Sequence, residues 1–90
     1  MNIMKMVINT DFGGFGINYE IAKKYGLYKC DDIHTNEKLI ELIESGIDCN
    51  DECSKLSVVE IPDEATDYYI EEYDGAESVL YVLDGKIHFL

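Results

Sequence analysis

Ninety residues, 47% of them hydrophobic, suffice for one folded domain with a modest core and argue against disorder. Nineteen acids against seven bases give a formal charge of −12, and every base is a lysine. A chain of this sign without arginine, the usual reader of phosphate and guanine, is a poor nucleic-acid binder, and no apolar run approaches the ~20 residues that span a bilayer.

Residues 1–90 read as a single domain. The first ten contain one lysine, no long apolar stretch and no small-residue cleavage site. They do not read as a secretory signal, so the expected location is the cytoplasm, with the three cysteines as reduced thiols. Residues 3–10 are nearly continuous apolar sequence, including Val7 and Ile8, and predict a central strand buried on both faces. Asp11-Phe12-Gly13-Gly14-Phe15-Gly16 breaks it. Asn18 is the expected N-cap of a helix reaching about Tyr25, with Ile17, Ile21 and Tyr25 on one face, Lys23 and Lys24 near its C-terminal end and Gly26 as its stop. Residues 27–34 form a linker without an assigned conformation. Thr35 or Asn36 opens a second helix, which carries Leu39, Ile40, Ile43 and Ile47 at helical spacing and Glu37, Glu41 and Glu44 on its polar side, with Gly46 near its end. A polar connection, 47–54, leads to a strand over 56–61 that Pro62 ends.

The last segment is the most legible. Asp74-Gly75 and Asp84-Gly85 are two-residue hairpin signals with β-rich flanks, predicting a meander over 68–73, 76–83 and 86–90. Those turns fix a register and sort the faces. Tyr69, Tyr73, Leu80, Val82, Ile87 and Phe89 share one face, expected to pack on the helices. Tyr68, Ile70, Glu72, Glu77, Val79, Tyr81, Leu83 and His88 share the other. Glu72 and Glu77 fall opposite each other there, an unfavourable like-charge pair, so this second face is expected to be open. The expected fold class is α+β: a small sheet with a central N-terminal strand, a C-terminal antiparallel meander and two helices packed on one face.

Three constellations bear on chemistry. The glycines of residues 11–16, between a strand and a helix, let a backbone approach a ligand, with Phe12 and Phe15 available to stack on a base. The spacing is neither a dinucleotide fingerprint nor a P-loop, and a tight structural turn is the competing reading. Cys30, His34, Cys49 and Cys53 are four soft ligands in two pairs, but the spacing is not that of a zinc finger or ribbon, so no metal is expected. No nucleophile and base can be paired from the sequence, and no nucleotide, flavin or haem motif is present; an enzyme and a cofactor are therefore not expected.

Two segments carry a resemblance. Met4-Lys5-Met6-Val7-Ile8-Asn9-Thr10-Asp11-Phe12-Gly13-Gly14-Phe15-Gly16-Ile17 resembles the opening of a family of small uncharacterised phage and prophage proteins. Val58-Val59-Glu60-Ile61-Pro62-Asp63, with Tyr69-Ile70-Glu71-Glu72-Tyr73-Asp74-Gly75, resembles its C-terminal half. The similarity spans about residues 4–79. The family's basic-aromatic tail is replaced here by Tyr81-Val82-Leu83-Asp84-Gly85-Lys86-Ile87-His88-Phe89-Leu90. The resemblance implies a phage origin and hands on no activity. Small acidic phage proteins are often inhibitors of host machinery, some imitating the charge of DNA, which is an analogy of class alone.

Between Lys55 and Lys86 no base interrupts Glu60, Asp63, Glu64, Asp67, Glu71, Glu72, Asp74, Glu77 and Asp84. Such an anionic surface attracts basic partners and speeds encounter. Solubility alone is the plainer reading of the same charge. The functional expectation is an acidic interaction protein that inhibits a basic, nucleic-acid-binding or defence protein of the host cell through Glu71, Glu72, Asp74, Glu77, Tyr68 and Tyr81. The competing readings of this face are a second packing layer and a homodimer contact. The alternative is a small-ligand or nucleotide-sequestering protein using Asp11, Phe12, Gly13, Gly14, Phe15 and Gly16.

Overall fold

The structure, a computed structural model, describes residues 3–27 and 32–90. It is α+β: strand β1 (Ile3–Asn9), helix α1 (Tyr19–Tyr25), a 3-10 turn (Ile33–Thr35), helix α2 (Glu37–Glu44), then strands β2 (Leu56–Pro62), β3 (Asp67–Tyr73), β4 (Ala76–Leu83) and β5 (Lys86–Phe89). The strands form two separate antiparallel sheets, β1-β2 and β3-β4-β5, where a single sheet was expected.

Local chemistry sets the element ends. The Asn18 side chain accepts from the amides of Glu20 and Ile21, and Gly26 closes α1 in the left-handed region. Asn36 accepts from the Leu39 amide at the start of α2. Both hairpin turns have two successive residues at positive φ, Asp74-Gly75 and Asp84-Gly85, the backbone that matches the twist of the flanking strands.

The β1-β2 ladder is the middle layer. Alternation along it sends Val7, Leu56 and Val58 to one side, where Ala22 of α1 and Leu39, Ile40 and Leu42 of α2 complete a core. Met6, Ile8, Val59 and Ile61 go to the other side and meet Tyr68, Ile70, Val79 and Tyr81 of the meander. This is why residues 3–10 read as buried on both faces: β1 has one strand neighbour but is covered above and below.

The same packing reverses the expected faces of the meander. Tyr68, Ile70, Val79 and Tyr81 pack inward. Tyr69, Tyr73, Ile87 and Phe89 lie on the outside, Tyr73 and Phe89 about four-fifths exposed. The helices and the meander pack on opposite sides of the β1-β2 ladder. The Glu72–Glu77 register is as expected, but it does not mark an open face.

Candidate interaction surface and its polar anchor

Glu77 is the reason. Its side chain is 8% exposed, and its two oxygens have separate partners. Oε1 accepts from the Asn9 amide at 2.8 Å and Oε2 lies 2.8 Å from His34 Nε2. The His34 ring also packs against Phe15, centroids 4.7 Å apart. Glu77 thus turns away from Glu72, and the like-charge conflict read from the sequence is relieved by groups far away in the chain.

Asn9 completes the anchor and is fully buried. Its Nδ2 donates to the carbonyls of Asp11 and Gly75, each at 2.8 Å, and its Oδ1 accepts from the Lys55 amide at 2.8 Å. One amide side chain therefore joins the end of β1, the start of β2 and the tip of the β3-β4 hairpin.

The glycine loop is the seat of that tip. The Gly13 amide donates to the Asp74 carbonyl at 3.3 Å. A Cβ on Gly75 would meet the main chain of Gly13 and Gly14, and one on Gly16 would strike the Asp51 carboxylate. Of the six loop residues named as a ligand site, Gly13 and Gly14 thus face the hairpin and Phe15 faces His34 and the helix-side core. Asp11 caps the Phe12 amide through its own side chain, and the Phe12 ring is exposed. The glycine loop and the first hairpin turn meet here, Gly13–Gly14 against Gly75.

The six residues named for partner binding separate into two groups. Glu71, Glu72 and Asp74 are exposed. Glu77 belongs to the anchor, and Tyr68 and Tyr81, opposite each other in register, pack on the inner core, Tyr81 also stacked on His88 at 5.1 Å. What the sequence reading placed inside is the surface now available: Tyr69, Tyr73, Ile87 and Phe89 around Leu80, which its neighbours cover to 9% exposure. Asp67 and Glu71 share that outer face on β3, and the Tyr69 hydroxyl donates to Asp67 at 2.8 Å. That hydrogen bond to a carboxylate raises the Tyr69 phenol above its ordinary pKa. Lys86 is the sole base between residues 67 and 90 apart from His88.

The cysteines, for which no metal is expected, differ in setting. Cys49 is buried and Cys53 exposed; Cys30 lies outside the described residues. Burial pushes the Cys49 thiol above its ordinary pKa, which lowers its thiolate fraction as well as its access. In a Cys30→Ser variant a thiol reagent is expected to label one site rapidly, Cys53, and Cys49 only on unfolding; mass mapping of the adduct under native and denaturing conditions checks this. No helix among the described residues is long and apolar enough to cross a membrane. No family model, no curated protein and no solved structure matches this chain.

Proposed function

We propose that the protein is a non-enzymatic interaction protein of phage type that occupies a basic, nucleic-acid-binding protein of the host and so inhibits it. The observation that carries this reading is the outer face of the meander. Tyr69, Ile87 and Phe89 expose aromatic and aliphatic surface around Leu80 beside Asp67 and Glu71, with Tyr73 beyond Glu71 on the same face, and no part of the described chain covers it. Apolar centres with a polar, charged rim are the anatomy of protein interfaces, and tyrosine is among their commonest anchors. The arginine-free charge of −12 sets the sign of the partner. Occupancy of the glycine loop by the Asp74-Gly75 turn weighs against the ligand-binding alternative.

The test is competition. A fluorescent DNA duplex bound to a basic host nuclease is titrated with the protein at low and at high salt. Displacement is expected at low salt and is expected to weaken steeply as salt rises. Lysine reversal of Glu71, Glu72 and Asp74 together, with Glu77 left in place, should abolish displacement while the variant still melts cooperatively, since relief of repulsion among the exposed acids offsets the cost of lysine at the positive φ of Asp74. Unchanged displacement by that folded variant would refute the reading.

A further inference from the structure

Among the described residues, the edge of β1 away from β2 has no strand paired to it. The Thr10 amide donates to the Lys55 carbonyl at 2.9 Å, continuing the β1-β2 ladder past Asn9. Antiparallel ladders alternate hydrogen-bonded with non-bonded pairs, so Ile8, Met6 and Met4 exchange bonds with β2, and Asn9, Val7, Lys5 and Ile3 turn their main-chain groups outward. Two observations agree. Asn9 does send its amide away from β2, to Glu77. Pro62, which has no N–H, stands opposite Ile3, in a pair that needs none.

Along the second half of β1 that edge is closed: Glu77 takes the Asn9 amide, the 3-10 turn packs against the strand, and Val7 is fully buried. Along the first half it borders a groove of about 560 Å³ between β1 and α2, lined by Ile3, Met4 and Lys5 on one side and Ile40, Glu41 and Glu44 on the other. Exposed strand edges of this kind are templates for pairing, and proteins that do not use them blunt them. Glu37, Glu41 and Glu44 line the groove, and Glu60 stands opposite Lys5 on β2. Lys5 is bound to Glu44 at 2.8 Å and Lys38 lies 3.6 Å from Glu41, so the acids keep an excess.

We propose that this edge takes an extended, lysine- or arginine-bearing segment of a partner protein, which adds a strand to β1 through the main-chain groups of Ile3 and Lys5 and sets its basic side chains against Glu37 and Glu41. It rests on the preceding reading only for the sign of the partner; its site and its chemistry are separate from the outer face of the meander.

The probe is the peptide acetyl-Lys-Val-Lys-Val-Lys-amide, titrated into nitrogen-labelled protein while amide shifts are followed. The Ile3 and Lys5 amides are expected to move most. A peptide N-methylated on alternate residues keeps its charge and loses its hydrogen-bonding edge, and should bind about tenfold more weakly, the effect of two modest main-chain hydrogen bonds. Glu37→Gln with Glu41→Gln should weaken both peptides while the variant still melts cooperatively. Equal binding of the two peptides, shifts centred on Tyr69 and Phe89 instead, or no shifts at all would each overturn the proposal. So would a concentration-dependent dimer in which the Ile3 and Lys5 amides become protected, since the edge would then belong to a second copy. None of these results alters the outcome expected for reversing Glu71, Glu72 and Asp74, so the two readings stand or fall separately.

Discussion

Asn9→Ala is expected to cost about 3 kcal/mol, a large loss for a polar side chain. Asn9 is fully buried, and its amide group serves three segments. Truncation leaves the Lys55 amide and the buried Gly75 carbonyl without their partner. Each such unmade bond costs about 1–3 kcal/mol. A domain of this size holds only roughly 5–13 kcal/mol in all, so the melting temperature should fall by on the order of 15 °C. Urea unfolding followed by circular dichroism measures it. Glu72→Ala, at an exposed position on the same hairpin, is the reference and should stay within about 0.5 kcal/mol of the parent. If both variants unfold alike, Asn9 is not the anchor described here.

Gly75→Ala is the second large effect, and Gly85→Ala separates its causes. Both glycines occupy the second position of an Asp-Gly turn with positive φ, +90° and +74°. Both substitutions therefore carry the cost of a side chain in the left-handed region, roughly 1 kcal/mol. A Cβ at Gly85 meets nothing within 4 Å, whereas one at Gly75 runs into the backbone of Gly13 and Gly14. Backbone does not yield as a flexible side chain would, so the hairpin tip must lift off its seat and strain the Asn9 Nδ2 to Gly75 bond as well. Gly75→Ala should lose about 3 kcal/mol in the same urea assay against about 1 kcal/mol for Gly85→Ala. Equal losses would mean that the glycine loop does not hold the hairpin.

How far the fold could be read from the sequence follows from the range of the interactions involved. The two Asp-Gly turns, the Asn18 cap and the Gly26 stop are decided by a few neighbouring residues, and each stands where the sequence places it. The direction in which the meander faces is not local. Its strands alternate tyrosine with tyrosine and valine with leucine, as in Tyr68-Tyr69 and Val79-Leu80-Tyr81-Val82, so both faces are apolar and a period of two cannot rank them. The acids on the strands point the wrong way, because Glu77 is nearly buried. Glu77 reads as a surface charge because its partners, His34 and the Asn9 amide, are 43 and 68 residues distant. Asn9 had a signal, a polar residue closing an otherwise apolar strand, but nothing nearby names the carbonyls it would reach. The exposed acids Glu71, Glu72 and Asp74 were legible from charge alone; the apolar surface beside them was not.

The separation of β1 from β2 by both helices governs the order in which this molecule can assemble. The meander closes on itself through two short turns, a matter of microseconds for each hairpin. The β1-β2 ladder has to wait until the whole intervening chain is in place, and a long closure pays its entropy before any contact rewards it. During synthesis β1 emerges first and finds its partner late. A meander formed early has two apolar faces, since the layer that will cover Tyr68, Ile70, Val79 and Tyr81 does not yet exist. Copies of such a sheet would adhere to one another if they were neutral. The run of acids through the C-terminal third gives every copy the same charge, and that mutual repulsion guards the nascent chain while its middle layer is still being built.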